Sequence, residues 1–208
     1  MPIITSIKPQ KNNKRVNIYL DNEFGFGLDL ENFVKFHLKV DQELTDEQIT
    51  KIVKDAEFQK ILDKLLRFAM LRPRSKKEIN DYLKRKKVHE NIKEELFSRL
   101  ESFELINDEQ FAKWWVEQRQ SFSPKSKRVL SSELLIKGID REIIKNILEE
   151  TKIDEVKLAK DLIEQKSYKW EKLDDKIKRQ KINQYLAGKG FSWEITSNVL
   201  ELNDYGRK

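Results

Sequence analysis

Apolar residues along this chain repeat one pattern three times. It reads Ile79, Leu83, Val88, Ile92, then Leu130, Leu134, Ile139, Ile143, then Ile182, Leu186, Phe191, Ile195, and the copies lie 51 and then 52 residues apart. Positions four apart share one face of a helix, and the five-residue step in the middle of each copy breaks that phase, as a turn between two helices would. A period of this length predicts stacked helical units that bury their apolar faces against one another, an architecture that offers a surface to grasp with. Gly138 and Gly190 stand just before the residue that follows the turn in two copies, where a helix ends on a left-handed residue; the first copy has Lys87 there.

The flanking positions extend each copy to three helices. Thr45 and Gln48 form a capping box that opens a long helix ending near Leu71, with an apolar phase that slips near residues 56 to 58 and so allows a bend or break. Pro73 stops it. Ser75 to Glu78 makes a second capping box, and Ile92, Leu96, Leu100 and Phe103 mark a third helix. In the second unit Asn107 caps a helix carrying Phe111, Ala112, Trp115 and Val116, Pro124 and Ser126 match Pro73 and Ser75, and Asp140 caps the last helix. The third unit starts near Asp154, has a longer first connection spanning roughly Ser167 to Asp175, and closes on a helix capped by Ser192; residues 203–208 should fray.

The amino-terminal segment has a different period. Val16, Ile18 and Leu20, then Phe24, Phe26 and Leu28, alternate with polar or small residues around Asp21-Asn22, which predicts a hairpin, with Ile3 to Lys8 as a candidate third strand and a short helix over 29–36. The expected fold is therefore mainly α: three tandem three-helix repeats with a small N-terminal β-hairpin region. The expected divisions are residues 1–44 for the hairpin and short helix, and 45–106, 107–152 and 153–208 for the repeats.

Charge adds a possible function. The net charge is +6, and it is segregated. Arg72, Arg74, Lys76, Lys77, Lys84, Arg85, Lys86 and Lys87 fall in one stretch, Arg119, Lys125, Lys127 and Arg128 in a second, and Lys176, Lys178, Arg179 and Lys181 in a third. Each stretch lies at the same part of its repeat, so stacking would align them as a positive strip suited to phosphates or to an acidic protein face; a solvated surface would account for any single one of them. Trp114 adjoins Trp115, and one helix cannot bury both in the same direction: Trp115 has core spacing, whereas Trp114 is either a binding anchor or packed on a neighbouring unit.

Catalytic patterns are missing from the sequence. There is no cysteine, and the two histidines, His37 and His89, lie far apart. Gly25-Phe-Gly27 lacks the third glycine and the helix of a dinucleotide fingerprint. No cofactor is expected. No signal peptide or membrane-length apolar run occurs, which makes a cytoplasmic protein the expectation.

The ordered series Leu71-Arg-Pro-Arg-Ser-Lys-Lys-Glu-Ile79, Tyr82-Leu83, Ile106-Asn-Asp-Glu-Gln-Phe-Ala112, Trp115-Val-Glu-Gln-Arg119 and Glu133-Leu-Leu-Ile-Lys-Gly-Ile139 resembles the bacterial RecX regulatory family, over about residues 60 to 200. The resemblance implies a curved, elongated array that binds RecA in the groove of its filament on DNA, as a monomer, and modulates it. Inhibition of ATP hydrolysis, strand exchange and co-protease activity is the usual mode. It also implies that the protein is not an enzyme. The partner-binding candidates are then Arg72, Arg74, Lys76, Lys77, Lys84, Arg85, Lys86, Lys87, Trp114, Arg119, Lys125, Lys127 and Arg128, toward RecA and possibly DNA. A helical-repeat protein that binds nucleic acid without RecA is the alternative.

Overall fold

The computed structural model describes residues 1–202 except Asn12. The expected fraying of residues 203–208 lies outside the described residues. Strands β1 (Ile4–Pro9), β2 (Arg15–Leu20) and β3 (Glu23–Asp29) come first. The helices follow as α1 (Leu30–Lys35), α2 (Asp46–Met70), α3 (Lys76–Arg85), α4 (Glu90–Ser102), α5 (Asp108–Phe122), α6 (Lys127–Ile136), α7 (Arg141–Glu150), α8 (Glu155–Glu164), α9 (Asp175–Gly188) and α10 (Trp193–Leu202). Two compact units contain them: residues 1–72 with 88–100, and residues 73–87 with 101–208.

In the first unit the strands form one antiparallel sheet in the order β1-β2-β3. Asp21 and Asn22 both take positive φ, 49° and 71°, which gives the turn the twist a two-residue hairpin needs. Val16, Ile18, Phe26 and Leu28 point to one face and form a core with Ile4, Leu38, Leu44, Ile52 and Ala56. A lone hairpin is marginal in water, and here the third strand and the first half of α2 cover it. Asp29 caps α1 through the Asn32 amide, and the capping box of Thr45 and Gln48 opens α2 with both of its hydrogen bonds made.

Helix α2 runs unbroken for 25 residues through the phase slip. The slip marks a change of face: Ile52 and Ala56 belong to the sheet core, while Leu62, Leu65 and Ala69 are buried outside that cluster. Helix α4 buries Leu96 and Leu100 but ends at Ser102, so Phe103, expected on its apolar face, is exposed.

In the second unit each carboxyl-terminal repeat has its own core. Phe111, Ala112 and Val116 of α5 pack with Leu130 and Leu134 of α6, Ile139, and Ile144, Ile147 and Leu148 of α7. The third core repeats this with Ala159, Leu162, Ile163, Ile182, Leu186, Phe191, Val199 and Leu200. Trp170 also enters it, which gives the stretched connection of the third repeat a purpose. Helix α8 is five residues shorter than α5, and Trp170, following a 3-10 turn at Ser167–Lys169, is buried where the chain returns.

Leu134 is fully buried. Leu134→Ala should lower unfolding stability by about 2–5 kcal/mol, measured by urea denaturation. A loss below about 1 kcal/mol would mean the second core closes over the missing volume.

Candidate functional site: the basic joints between repeats

Parts of the first two basic stretches sit where one repeat meets the next, and the two joints within the second unit are built alike. At the first, the Ser75 hydroxyl caps α3 by accepting from the Glu78 amide at 3.1 Å and donates to the Lys137 carbonyl, 62 residues away, at 2.8 Å. At the second, Ser126 caps α6 through the Val129 amide, and its own amide donates to the Lys189 carbonyl at 3.2 Å. Both serines are buried. The next amide is satisfied by an acid that opens the following repeat: Lys76 N–H donates to Asp108 at 2.8 Å, and Lys127 N–H to Glu155 at 2.9 Å. Lys77 then donates to the Ile136 carbonyl at 2.7 Å, and Arg128, at the matching position, to the Gly190 carbonyl at 3.3 Å. One orphan amide of each middle helix is thus met by the acid of the following repeat and one by the helix's own serine cap.

This packing explains the glycines. Gly138 and Gly190 have φ of +81° and +91°. A β-carbon on Gly138 would stand 2.7 Å from the Lys77 β-carbon, and one on Gly190 would stand 2.2 Å from a Val129 methyl and 2.6 Å from the Ser126 hydroxyl. Lys87 occupies the equivalent turn with φ 54° and is exposed. A left-handed backbone alone therefore tolerates lysine here, and close approach by the preceding repeat is what demands glycine.

At the first joint most of the charge is internally balanced. Lys137 binds Glu78 at 2.6 Å and lies 5.0 Å from the centre of the Trp115 ring. Arg119 binds Glu133 at 2.7 Å and lies 4.7 Å from the same ring. The Trp115 indole N–H donates to Glu133 at 2.8 Å. Arg74, nearly buried, is 3.8 Å from Glu78. Trp115 is therefore half-buried under two cations, and its core face stacks on Phe111. Glu78 bonds to Lys137 and not back to the cap, so the capping box expected at Ser75 is only half made.

The candidate residues thus fall into two groups. Arg74, Lys76, Lys77 and Arg119 are engaged within the protein, Lys76 with Glu101 at 3.1 Å. Arg128 reaches a backbone carbonyl, and Lys127 is half-buried at the joint. Trp114 is half-buried against the second core, with Phe111 at 5.9 Å. Arg72 is half-buried in the first unit. Lys84, Arg85, Lys86 and Lys87 are exposed at the end of α3, and no described carboxylate pairs with them; Lys86 lies 5.7 Å from the Tyr82 ring centre.

Sequence reading missed Glu78, Glu133, Lys137, Lys166, Tyr185 and Lys189. The signal was available: Lys137 and Lys189 both precede the joint glycine, and Arg119 and Lys166 both lie eleven residues after the acid that opens their repeat. Lys189 is held below the ordinary lysine range, first by burial and then by repulsion from Lys125 and Lys166, and burial raises the Tyr185 hydroxyl.

Among the described residues no cluster of three His, Cys, Asp or Glu side chains could hold a metal, and no helix is long and apolar enough to cross a membrane. A cleft of about 570 Å³ in the first unit is lined by five cations, Lys14, Arg15, Lys60, Lys64 and Arg67, and three acids, Asp29, Glu57 and Asp63, among other residues.

These features define a tandem helical-repeat protein with a small sheet at its head and its polar chemistry concentrated in basic joints. Its sequence matches the RecX N-terminal domain over residues 2–45, the second RecX three-helix domain over 107–148 and the third over 153–200. It is 38% identical to the regulatory protein RecX of Bacillus licheniformis, covering 99% of this chain and 79% of that one. To the Bacillus subtilis RecX it is 35% identical, with coverage of 99% and 78%. A crystal structure of regulatory protein RecX superposes with a TM-score of 0.70 at 25% identity, covering 97% of this chain and 100% of the other. The structure of RecX from Lactobacillus salivarius gives 0.56 at 28% identity, over 71% and 97%. The chain belongs to the RecX family of regulatory proteins.

The joint glycines separate two causes that sequence alone leaves merged. Gly190→Ala should cost about 1–3 kcal/mol in urea unfolding, because the added methyl meets Val129 and Ser126. Lys87→Gly, which removes the left-handed penalty where no neighbour approaches, should change stability by no more than about 1 kcal/mol. A gain there as large as the Gly190→Ala loss would assign the requirement to backbone conformation and not to contact.

Proposed function

We propose that this protein modulates RecA by binding its filament on DNA, and that it inhibits ATP hydrolysis, strand exchange and co-protease activity. Family membership supports the reading. The observation that carries the contact residues is the exposed run Lys84 to Lys87, four cations at the end of α3 with no described carboxylate beside them. Lys84 and Arg85 also complement the negative end of the helix dipole, but that end does not account for all four charges. Of the candidate residues, this run, Trp114 and the half-buried Arg72 and Lys125 are assigned to the partner side. Arg74 and Arg119 are assigned a structural part, since their guanidinium groups face Glu78 and Glu133.

The mechanism needs no chemistry from this chain. A helical array bridging neighbouring filament subunits inhibits if it binds an inactive arrangement better than the active one, and the shift is limited by that difference in affinity. The acting form is a monomer in the cytoplasm, where such filaments assemble. Because the contact charges are exposed, binding weakens with salt.

Titrating the protein into a RecA and single-stranded DNA ATPase assay tests the reading, with inhibition expected as the ratio rises. No effect at any ratio, together with no co-sedimentation with the filament, overturns it. Reversing Lys84, Arg85 and Lys86 to glutamate should weaken filament binding about tenfold or more, since three exposed charge contacts of about 0.5–1 kcal/mol change sign. Helical circular dichroism should stay unchanged. Undiminished binding would make this run ordinary solvated surface.

A further inference from the structure

The two joints are alike in backbone and unlike in charge. Superimposing their registers places Lys125 on Arg74, Lys166 on Arg119 and Lys189 on Lys137, so all three cations of the first joint recur at the second. The two acids do not. Glu78 is replaced by Val129, and Glu133 by Tyr185. At the first joint those acids bind Lys137 and Arg119 at 2.6 and 2.7 Å. At the second, Lys166 and Lys189 lie 4.7 and 5.9 Å from the Tyr185 ring centre, and none of the three lysines is ion-paired with a described carboxylate. All three are half-buried.

We propose that this second joint is an anion-binding site whose missing counter-charge is supplied by the phosphates of a single-stranded nucleic acid. Two half-buried lysines over the Tyr185 ring, with Lys125 close enough to repel one of them, leave a charge that no described ion pair offsets, whereas two acids offset most of the same charge one repeat earlier. The depressed affinity of Lys189 for its proton agrees, because repulsion from Lys125 and Lys166 contributes to it and a bound anion would relieve that repulsion. The surroundings favour a nucleic acid over an acidic peptide. Phe122 lies three residues before Lys125, and Tyr168 two after Lys166, and both rings are exposed, at 82% and 66%. A carboxylate would use the lysines alone, whereas a nucleotide offers phosphate to the lysines and a base to the rings. Tyr185, packed on Trp170 at 5.6 Å, forms the fixed floor between two of the cations.

The proposal goes beyond the reading of this protein as a RecA modulator and does not depend on it. The full chain without RecA is titrated against a short fluorescein-labelled single-stranded oligonucleotide by anisotropy at several salt concentrations. Wild type should bind, with a logarithmic salt slope to which each phosphate contact contributes about 0.7. Replacing Lys125, Lys166 and Lys189 by glutamine should flatten the slope by about 2. Tyr185→Glu, which restores the acid of the first joint, should lower affinity on the order of tenfold while circular dichroism stays unchanged. Val129 is left in place because it packs against Gly190. If Tyr185→Glu does not fold, the glutamine variant decides alone. Wild-type affinity in the folded variants, no binding by the wild type, or equal displacement by a polyglutamate peptide would each overturn the proposal. RecA ATPase inhibition measured on the same preparations decides the other reading separately.

Discussion

The second unit is organised by one contact made twice: the first turn of a middle helix lies under the turn that ends the middle helix of the next repeat. A helix start exposes unpaired amides, and a helix end exposes unpaired carbonyls. Bringing the two together through Ser75 and Lys137, and again through Ser126 and Lys189, meets both needs without water. The contact requires a short hydroxyl on one side and a residue without a side chain on the other. Glycine at 138 and 190 follows from that, and so does the freedom of position 87, where the side chain meets solvent.

Much of this was legible. The threefold apolar pattern marked the helix pairs, because positions four apart must share a face, and the paired proline, serine and glycine positions marked the turns. The hairpin was readable from its period of two and from Asp21-Asn22, whose residue types suit two positive φ angles. What sequence could not supply was direction. Whether Glu78 bonds back to Ser75 or forward to Lys137 depends on a neighbour 59 residues away. Trp170 was hidden for the same reason, since nothing local says that a connecting segment turns inward to complete a core.

The candidate site was less legible than the fold, because like charges in sequence need not be alike in space. Arg74 and Lys84 belong to one basic stretch. One is tucked against Glu78 between repeats, and the other stands in solvent. A half-buried cation close to a carboxylate is largely spent on holding the joint, whereas an exposed one retains its field for a partner. Counting basic residues therefore does not separate cations held in a joint from cations facing solvent, and pairing each with its counter-charge does.

That distinction bears on how a regulatory protein of this family can acquire a binding site. The backbone of the joint is fixed by the serine, the acid at the start of the next repeat and the glycine, and none of these sets the net charge beside it. The charge is set by two further positions, occupied by Glu78 and Glu133 at one joint and by Val129 and Tyr185 at the other. Those positions can change without disturbing the stacking, because both sets leave the capping bonds intact. A closed joint has less to offer a polyanion, since two acids already offset most of the charge of its three cations. An open one keeps three lysines, two of them over a ring that packs on Trp170. In a repeat protein of this kind, binding capacity is more cheaply gained by removing an internal counter-ion than by adding surface charge, because the cations left behind are already held in position.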